Sequence, residues 1–137
     1  MRVLFDTNVL LDALLAREPF VKDAASLLEA IESVQIEGFM SATTVTDIHY
    51  LISRQTRSPE TAITAVTRLL ELMEICTVDR NVLEQAIKLK FSDFEDAVQV
   101  ACAMALELDA IVTRDVNGFK NSPISALSPD ELRTRLG

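Results

Sequence analysis

Short apolar, strand-like runs alternate with longer segments of helical periodicity from one end of this chain to the other. Five runs have the length and composition of buried strands, and they comprise residues 3–5, 38–42, 75–78, 110–113 and 124–127. This alternation predicts an α/β protein with three α/β/α layers and a central, mostly parallel five-stranded sheet. Because 137 residues are about the usual size of one domain, we expect residues 1–137 to form a single domain.

Composition narrows the chemistry that such a fold could carry. The formal charge of −8 argues against a broad basic groove for nucleic acid, although single arginines or lysines could still bind phosphate locally. With one histidine, His49, a histidine-based metal site or a Ser-His-Asp triad is hard to assemble. Cys76 and Cys102 lie inside apolar segments and are expected to be buried free thiols. The chemistry of this chain must therefore rest on carboxylates.

Nothing in the sequence predicts a membrane segment. The apolar stretches are interrupted by polar residues well before the roughly 20 residues that span a bilayer. The apolar run that follows Met1 and Arg2 is too short for a signal peptide. We therefore expect a cytoplasmic protein without a membrane partner.

Four aspartates lie just after or near strand-like segments or at the start of the most apolar helix. They are Asp6, Asp47, Asp96 and Asp115. The carboxyl ends of parallel strands meet at one edge of a sheet, so these acids are expected to converge on one crevice. Converging carboxylates repel one another, and they either raise a pKa or hold a divalent cation. Four of them favour the cation.

Each acid also has a purely structural explanation. Asp93 and Asp96 would fall in the first turn of a helix, where the helix dipole favours acids and residues 92–95 match a capping box. Residues 44–47 fit the same template, and Asp115 could belong to a turn. The prediction of a site therefore depends on the joint pattern of the acids and not on any one of them.

Three segments together resemble the PIN-domain family, and the similarity covers essentially the whole chain. The segments are LFDTNVLLD at 4–12, FEDA at 94–97, and IVTRD at 111–115 followed by Phe119. That family includes the VapC-type toxins of bacterial toxin-antitoxin pairs and other ribonucleases that depend on Mg²⁺ or Mn²⁺. The resemblance implies that Asp6, Asp96 and Asp115 are metal-binding acids. Asp47 stands where the family usually has Glu, and its reach is one methylene shorter.

The resemblance also assigns roles to other polar residues. Asp93 matches an acid that the family often has three residues before the metal-binding acid at the position of Asp96. It would be a further metal ligand. Asn8 and Thr113 match polar positions that line the same pocket. From their place beside Asp115, Arg114 and Lys120 could hold a phosphate of the substrate.

Together these matches predict an endoribonuclease that uses Mg²⁺ or Mn²⁺ to cleave single-stranded RNA. Asp6, Asp47, Asp96 and Asp115 would be the catalytic residues, and a bound ion would lower the pKa of an attacking water. What is known of the VapC type further implies an antitoxin protein as partner and a homodimer. A neighbouring reading frame for such an antitoxin would strengthen the toxin interpretation.

The same residues also distinguish between this interpretation and other classes of protein. A catalytically degenerate PIN-like module that binds RNA or a protein is the main alternative, and Asp47 in place of Glu is its best support. Retention of the other acids argues against it, because repelling buried carboxylates cost stability. A phosphoacceptor receiver domain is disfavoured because Thr7 follows Asp6. A haloacid-dehalogenase phosphatase is disfavoured because Asn8 stands where that class needs Asp.

Overall fold

Five parallel strands form the centre of the molecule. The computed structural model describes all residues from 1 to 137. The strands are β1 (Arg2–Phe5), β2 (Glu37–Ser41), β3 (Glu74–Cys76), β4 (Ala110–Val112) and β5 (Ser125–Leu127). They lie in the order β3-β2-β1-β4-β5, and every neighbouring pair is parallel. The predicted five-stranded parallel sheet is confirmed, and each strand lies within the run that predicted it or extends it by a residue.

Helices cover both faces of this sheet. They are α1 (Thr7–Leu14), α2 (Val21–Glu32), α3 (Ala42–Thr56), α4 (Pro59–Leu72), α5 (Arg80–Leu89), α6 (Phe94–Ala105) and α7 (Pro129–Leu136), and a short 3-10 helix spans Val116–Phe119. One apolar core joins the sheet to α1, α2, α3, α4 and α7, and a second joins its other face to α5 and α6. The predicted three-layer α/β/α architecture is therefore confirmed.

The central strand shows why its sequence is apolar without interruption. Val3, Leu4 and Phe5 are all completely buried, Val3 and Phe5 in the first core and Leu4 in the second. A strand that is covered on both faces needs apolar residues at successive positions and not at alternate ones. The next residue, Asp6, leaves the sheet at its carboxyl edge.

Helix α6 is the most buried helix, as its composition predicted. Seven consecutive residues from Ala97 to Ala103 are buried, including the polar Gln99 and the thiol of Cys102. Cys76 is also buried and free, so both cysteines are where the sequence predicted them. None of the helices is long and apolar enough to cross a membrane.

The strand order places a crevice beside β1. From β1 the chain proceeds to β2 and β3 on one side, and it later returns to β4 and β5 on the other side. Such a reversal separates the loops that follow the two adjacent central strands, here β1 and β4. The residues that follow these strands therefore face a common opening.

Candidate active site

An acidic pocket of about 380 Å³ occupies this opening at the carboxyl end of the sheet. Its lining residues are Asp6, Thr7, Asn8, Asp47, Tyr50, Leu51, Asp93, Glu95, Asp96, Gln99, Asp115 and Phe119. Six of them are acids, and none is Lys, Arg or His. All four predicted catalytic aspartates lie in this one pocket, and Asp93 lies there with them. So much uncompensated negative charge attracts cations and repels anions.

Asp6 is the most enclosed acid of the pocket and is held in place on both oxygens. It follows β1 directly, and only 9% of its surface is exposed. Gln99 donates from Nε2 to Oδ1 at 2.9 Å, and Thr113 donates from Oγ1 to Oδ2 at 2.8 Å. The Thr113 hydroxyl also accepts from the backbone N–H of Asp115 at 3.0 Å. Thr113 therefore links the acid after β1 to the acid after β4.

Three acids stand at the start of α6. Asp93 is the N-cap, and its Oδ1 accepts from the backbone N–H of Asp96 at 3.1 Å. Burial, together with the charges of Asp93, Asp6 and Asp115, raises the pKa of Asp96 to about 7. The pKa of Glu95 is also raised, chiefly by the charge of Asp47. These shifts come from acids of several elements, so the pocket acts as one electrostatic unit.

Asp47 reaches the pocket from α3. That helix begins after Ser41, whose side chain accepts from the backbone N–H of Thr44 at 3.2 Å. Asp47 therefore lies in the second turn, with Tyr50 one turn further along the same side of the helix. Its carboxylate makes no hydrogen bond or ion pair within the protein, so it is free to bind a ligand.

The carboxylate of Asp115 lies close to Gly118, three residues further along the chain. Its Oδ1 accepts from the backbone N–H of Gly118 at 3.1 Å, which begins the short 3-10 helix. A Cβ on Gly118 would lie 2.5 Å from Oδ2 of Asp115. Only glycine at position 118 leaves this carboxylate where it is.

Only some of the predicted capping and turn roles of the acids agree with the structure. The cap and turn interpretations of Asp93 and Asp115 are confirmed, although both residues also line the pocket. The capping interpretation of residues 44–47 is wrong, because Ser41 caps α3. The capping box at 92–95 is also wrong, because Asp93 takes the cap position. Capping therefore explains only part of the acid pattern.

Of the other predicted site residues, two lie at the pocket and two lie away from it. Asn8 lines the pocket, and Thr113 lies beneath it as a partner of Asp6. Arg114 instead forms an ion pair with Asp12, with Nε 2.8 Å from Oδ2. Lys120 is exposed beside the 3-10 helix and borders a different depression. The structure does not place Arg114 and Lys120 among the acids.

Sequence reasoning missed several residues that shape the site. In the sequence Glu95 fits a capping box and Gln99 lies within an apolar helix, so neither is predicted as a site residue. A single long polar side chain among buried apolar residues was a signal that could have found Gln99. Arg17 and the buried Asp12 were missed because their importance depends on contacts between side chains, which the sequence pattern does not reveal.

The pocket fits a divalent cation by the chemistry of its donors. Carboxylate oxygens are the ligands that Mg²⁺ and Mn²⁺ prefer. Oε1 of Gln99 is buried without a hydrogen-bond partner, so an ion that brings water would satisfy it. No three of the acidic side chains stand close enough together to hold one ion as they are placed. Binding would therefore require rotation of side chains, and those of Asp47, Glu95 and Asp96 have no internal partner that opposes it.

Comparison with known proteins gives a match to one family. A family model described as a PIN domain matches residues 2–117. A comparison with curated protein sequences finds no match.

Several solved structures are similar to this chain in fold. The VapBC2 complex of Rickettsia felis, bound to promoter DNA, contains a chain with a TM-score of 0.73 and 16% identity, covering 93% of this chain and 98% of that one. VapBC-1 of Haemophilus influenzae gives 0.71 and 16%, covering 95% and 99%. VapC20 of Mycobacterium tuberculosis, described as a toxin that cleaves the sarcin-ricin loop, gives 0.66 and 16%, covering 80% and 86%. At these identities the similarity establishes the fold.

Proposed function

This chain belongs to the PIN-domain family, and from that premise we propose that it is a divalent-metal-dependent endoribonuclease of the VapC toxin type. The observation that carries the proposal is the pocket itself, in which six acids from four parts of the chain meet without a cation from the protein. A fold without a ligand gains nothing from gathering these charges, since their repulsion costs stability. A bound metal ion would offset that repulsion.

Asp6, Asp93, Asp96 and Asp115 are the residues that we assign to the metal, with Asp47 as a further acid of the site. A bound Mg²⁺ or Mn²⁺ would neutralise phosphate charge and lower the pKa of a water. Gln99 and Thr113 hold the Asp6 carboxylate in one orientation. With its pKa raised to about 7, Asp96 is only partly ionised near neutral pH, and binding of a cation would release its remaining proton.

The mouth of the pocket also supports a single-stranded substrate. Tyr50 and Leu51 line it, and 60% of the Tyr50 surface and 38% of the Leu51 surface are exposed. An aromatic ring beside a phosphodiester site can stack on an unpaired base, whereas bases inside a duplex are already stacked. We therefore propose RNA with accessible, unpaired bases as the substrate.

The partner proposals rest on the solved structures that share this fold. One of them, from Klebsiella pneumoniae with a TM-score of 0.69, is described as a toxin-antitoxin complex. We propose that this chain likewise pairs with an antitoxin protein, acts in the cytoplasm and forms a homodimer. Co-expression with the product of an adjacent small reading frame, followed by copurification, would test the antitoxin. Light scattering of the isolated protein would test the dimer.

The nuclease is tested by a cleavage assay on end-labelled single-stranded RNA with MnCl₂, MgCl₂ or EDTA. We compare the wild type with Asp6→Asn, which keeps the shape of the side chain and removes its charge. Asp109→Asn is the matched control, because Asp109 is exposed at the opposite end of the sheet, just before β4. We expect cleavage by the wild type and Asp109→Asn with metal, and none by Asp6→Asn or in EDTA.

Two results would contradict the proposal. Cleavage that persists in EDTA and in Asp6→Asn would show that the carboxylates do not carry the reaction. Thermal stabilisation by Mn²⁺ without cleavage of any RNA offered would instead support the degenerate module, which binds without cutting. A metal ion whose free concentration is 100 times its Kd would add about 2.7 kcal/mol to the free energy of unfolding. Its binding is therefore measurable independently of cleavage.

A further inference from the structure

Asn8 lines the pocket, and its side-chain amide is contacted by a residue that lies outside the pocket. Nη2 of Arg17 lies 3.3 Å from the backbone oxygen of Asn8 and 3.3 Å from its side-chain Oδ1. Arg17 is not a lining residue of the pocket, so it contacts Asn8 from behind. The Nδ2 group of Asn8 makes no hydrogen bond within the protein.

This contact fixes which end of the Asn8 amide is available. A guanidinium has only N–H donors and no acceptor. If the amide were reversed, its NH₂ group would face the guanidinium and the two donors would repel each other. Asn8 therefore keeps Oδ1 on Arg17 and leaves Nδ2 as the free group of its side chain.

Arg17 is itself held by a buried charge. Its Nε donates to Oδ1 of Asp12 at 2.8 Å, and only 1% of the Asp12 surface is exposed. The second oxygen of Asp12 is occupied by Arg114, whose guanidinium lies 4.1 Å from the centre of the Phe20 ring. Each oxygen of Asp12 has its own cationic partner. If Arg17 moved away, one oxygen of this buried carboxylate would lose its partner. The Arg17–Asn8 contact is at the surface, but the residue that makes it is anchored to a buried carboxylate.

We propose that Asn8 donates a hydrogen bond from Nδ2 to a phosphate oxygen of the RNA, and that Arg17 is the positioning residue that holds the amide in the donating orientation. This inference rests on the proposed function and adds a substrate contact to it. The acids of the pocket only accept or repel when ionised, so an anionic phosphate among them needs a neutral donor. The same geometry makes Asn8 a poor metal ligand, because its oxygen faces the cationic guanidinium of Arg17, which would repel a metal ion.

Substitution of Asn8 distinguishes a donor from a metal ligand by the direction of the effect. Asn8→Ala removes the donor, and Asn8→Asp replaces it with an acceptor of negative charge. If Asn8 donates to phosphate, RNA binding falls by about tenfold in Asn8→Ala and by tenfold to hundredfold in Asn8→Asp. Asn8→Asp should keep a melting temperature close to that of the wild type, because the ion pair it gains with Arg17 offsets repulsion from the acids of the pocket. Loss of binding would then not come from unfolding.

The role of Arg17 is tested by a double-mutant cycle with Asn8. Since Arg17 acts through Asn8, Arg17→Ala should weaken RNA binding by about threefold to tenfold in the wild type and by less than about twofold in Asn8→Ala. A merely structural role for Arg17 would give the same loss in both backgrounds. Arg17→Ala lowers the stability of the wild type and of Asn8→Ala alike, so this loss cancels when its effects on RNA binding in the two proteins are compared.

The probe is a fluorescein-labelled single-stranded RNA, with binding measured by anisotropy at low salt with Mn²⁺ before cleavage proceeds, and kcat/KM measured under the same conditions. Asn8→Asp that binds as well as Asn8→Ala or better, or an additive effect of Arg17→Ala, would overturn the inference. A wild type that binds RNA but does not cleave it with metal would overturn the proposed function, and the binding data would still decide the role of Asn8. A wild type that neither binds nor cleaves would overturn both.

Discussion

Gln99 donates its side-chain amide to Asp6 across 2.9 Å and leaves its own oxygen buried without a partner. The amide cannot be reversed, because its oxygen would then face the Asp6 carboxylate. Gln99 thus orients the most enclosed acid of the pocket and presents an unsatisfied acceptor beside it. A residue that orients a metal ligand in this way is expected to affect metal affinity strongly.

We predict that Gln99→Leu weakens Mn²⁺ binding by about tenfold to hundredfold, the usual cost of removing a residue that orients a metal ligand. Leucine fills a similar volume and removes the unsatisfied oxygen, so the metal-free protein should stay folded. Calorimetric titration with Mn²⁺ measures the affinity, and circular dichroism checks the fold. Unchanged affinity in a folded variant would show that Thr113 alone is enough to orient Asp6.

The raised pKa of Asp96 predicts how the stability of the metal-free protein depends on pH. Burial and the neighbouring acids raise this pKa from its ordinary value of 3.8 to about 7 in the folded state. As pH rises between these values, the unfolded state loses its proton first, so the free energy of unfolding falls and levels off above about pH 7. Melting curves in EDTA from pH 4 to pH 8 should therefore show a falling melting temperature.

Asp96→Asn provides the matched control for that titration. It cannot ionise, so its melting temperature should depend less on pH and should exceed that of the wild type at pH 8. Mn²⁺ should reverse the order at pH 8, since only the wild type has the full set of carboxylates. Parallel pH profiles of the two proteins in EDTA would refute this account of Asp96.

Asp12 is predicted to matter for stability far more than an exposed carboxylate with a similar partner. Asp12→Asn turns one of its oxygens into an NH₂ group facing a guanidinium, and we expect a loss of about 1.5–3 kcal/mol for the charged hydrogen bond. Asp23→Asn is the control, because Asp23 pairs with Arg133 but both side chains are about one-third exposed. Such a pair contributes about 0–1 kcal/mol. Urea denaturation measures both, and equal losses would contradict the buried role of Asp12.

The fold could be predicted because each strand contains or adjoins a short apolar run, uninterrupted in the central β1 and β4, and such runs are a local signal in the sequence. Asp6 and Asp115 could be predicted for a related reason, since each follows a strand and parallel strands end together. Their joint spacing with Asp96 then allowed the resemblance to one family to be recognised.

The remaining parts of the site depend on contacts that no local pattern encodes. Gln99 meets Asp6 across 93 positions of the chain, and Arg114 meets Asp12 across more than 100. The sequence could show that Arg114 is next to Asp115, but a strand end sends neighbouring side chains in different directions. Arg114 consequently faces Asp12, and its part in binding phosphate stays a prediction.

Gly118→Ala is predicted to impair the site without harming the fold. The added Cβ would lie 2.5 Å from Oδ2 of Asp115, so this flexible carboxylate must move. A displacement approaching 1 Å at a catalytic group can cost about a hundredfold in rate, and we expect kcat/KM to fall by about tenfold to hundredfold. The free energy of unfolding should change by less than about 1 kcal/mol, because the restriction that alanine places on the unfolded chain offsets the weakened Asp115 cap.

Gly38→Ala should show the opposite pattern and serves as its control. There the new Cβ would lie 2.5 Å from Cδ1 of Ile31 and 3.3 Å from Cε of Met73, within the apolar core and away from the acidic pocket. Overpacking of this kind costs about 1–3 kcal/mol, while the catalytic carboxylates keep their places. Cleavage kinetics below the melting transition, together with urea denaturation, separate the two effects. If Gly118→Ala keeps full activity, the position of Asp115 that Gly118 permits is not the one the reaction uses.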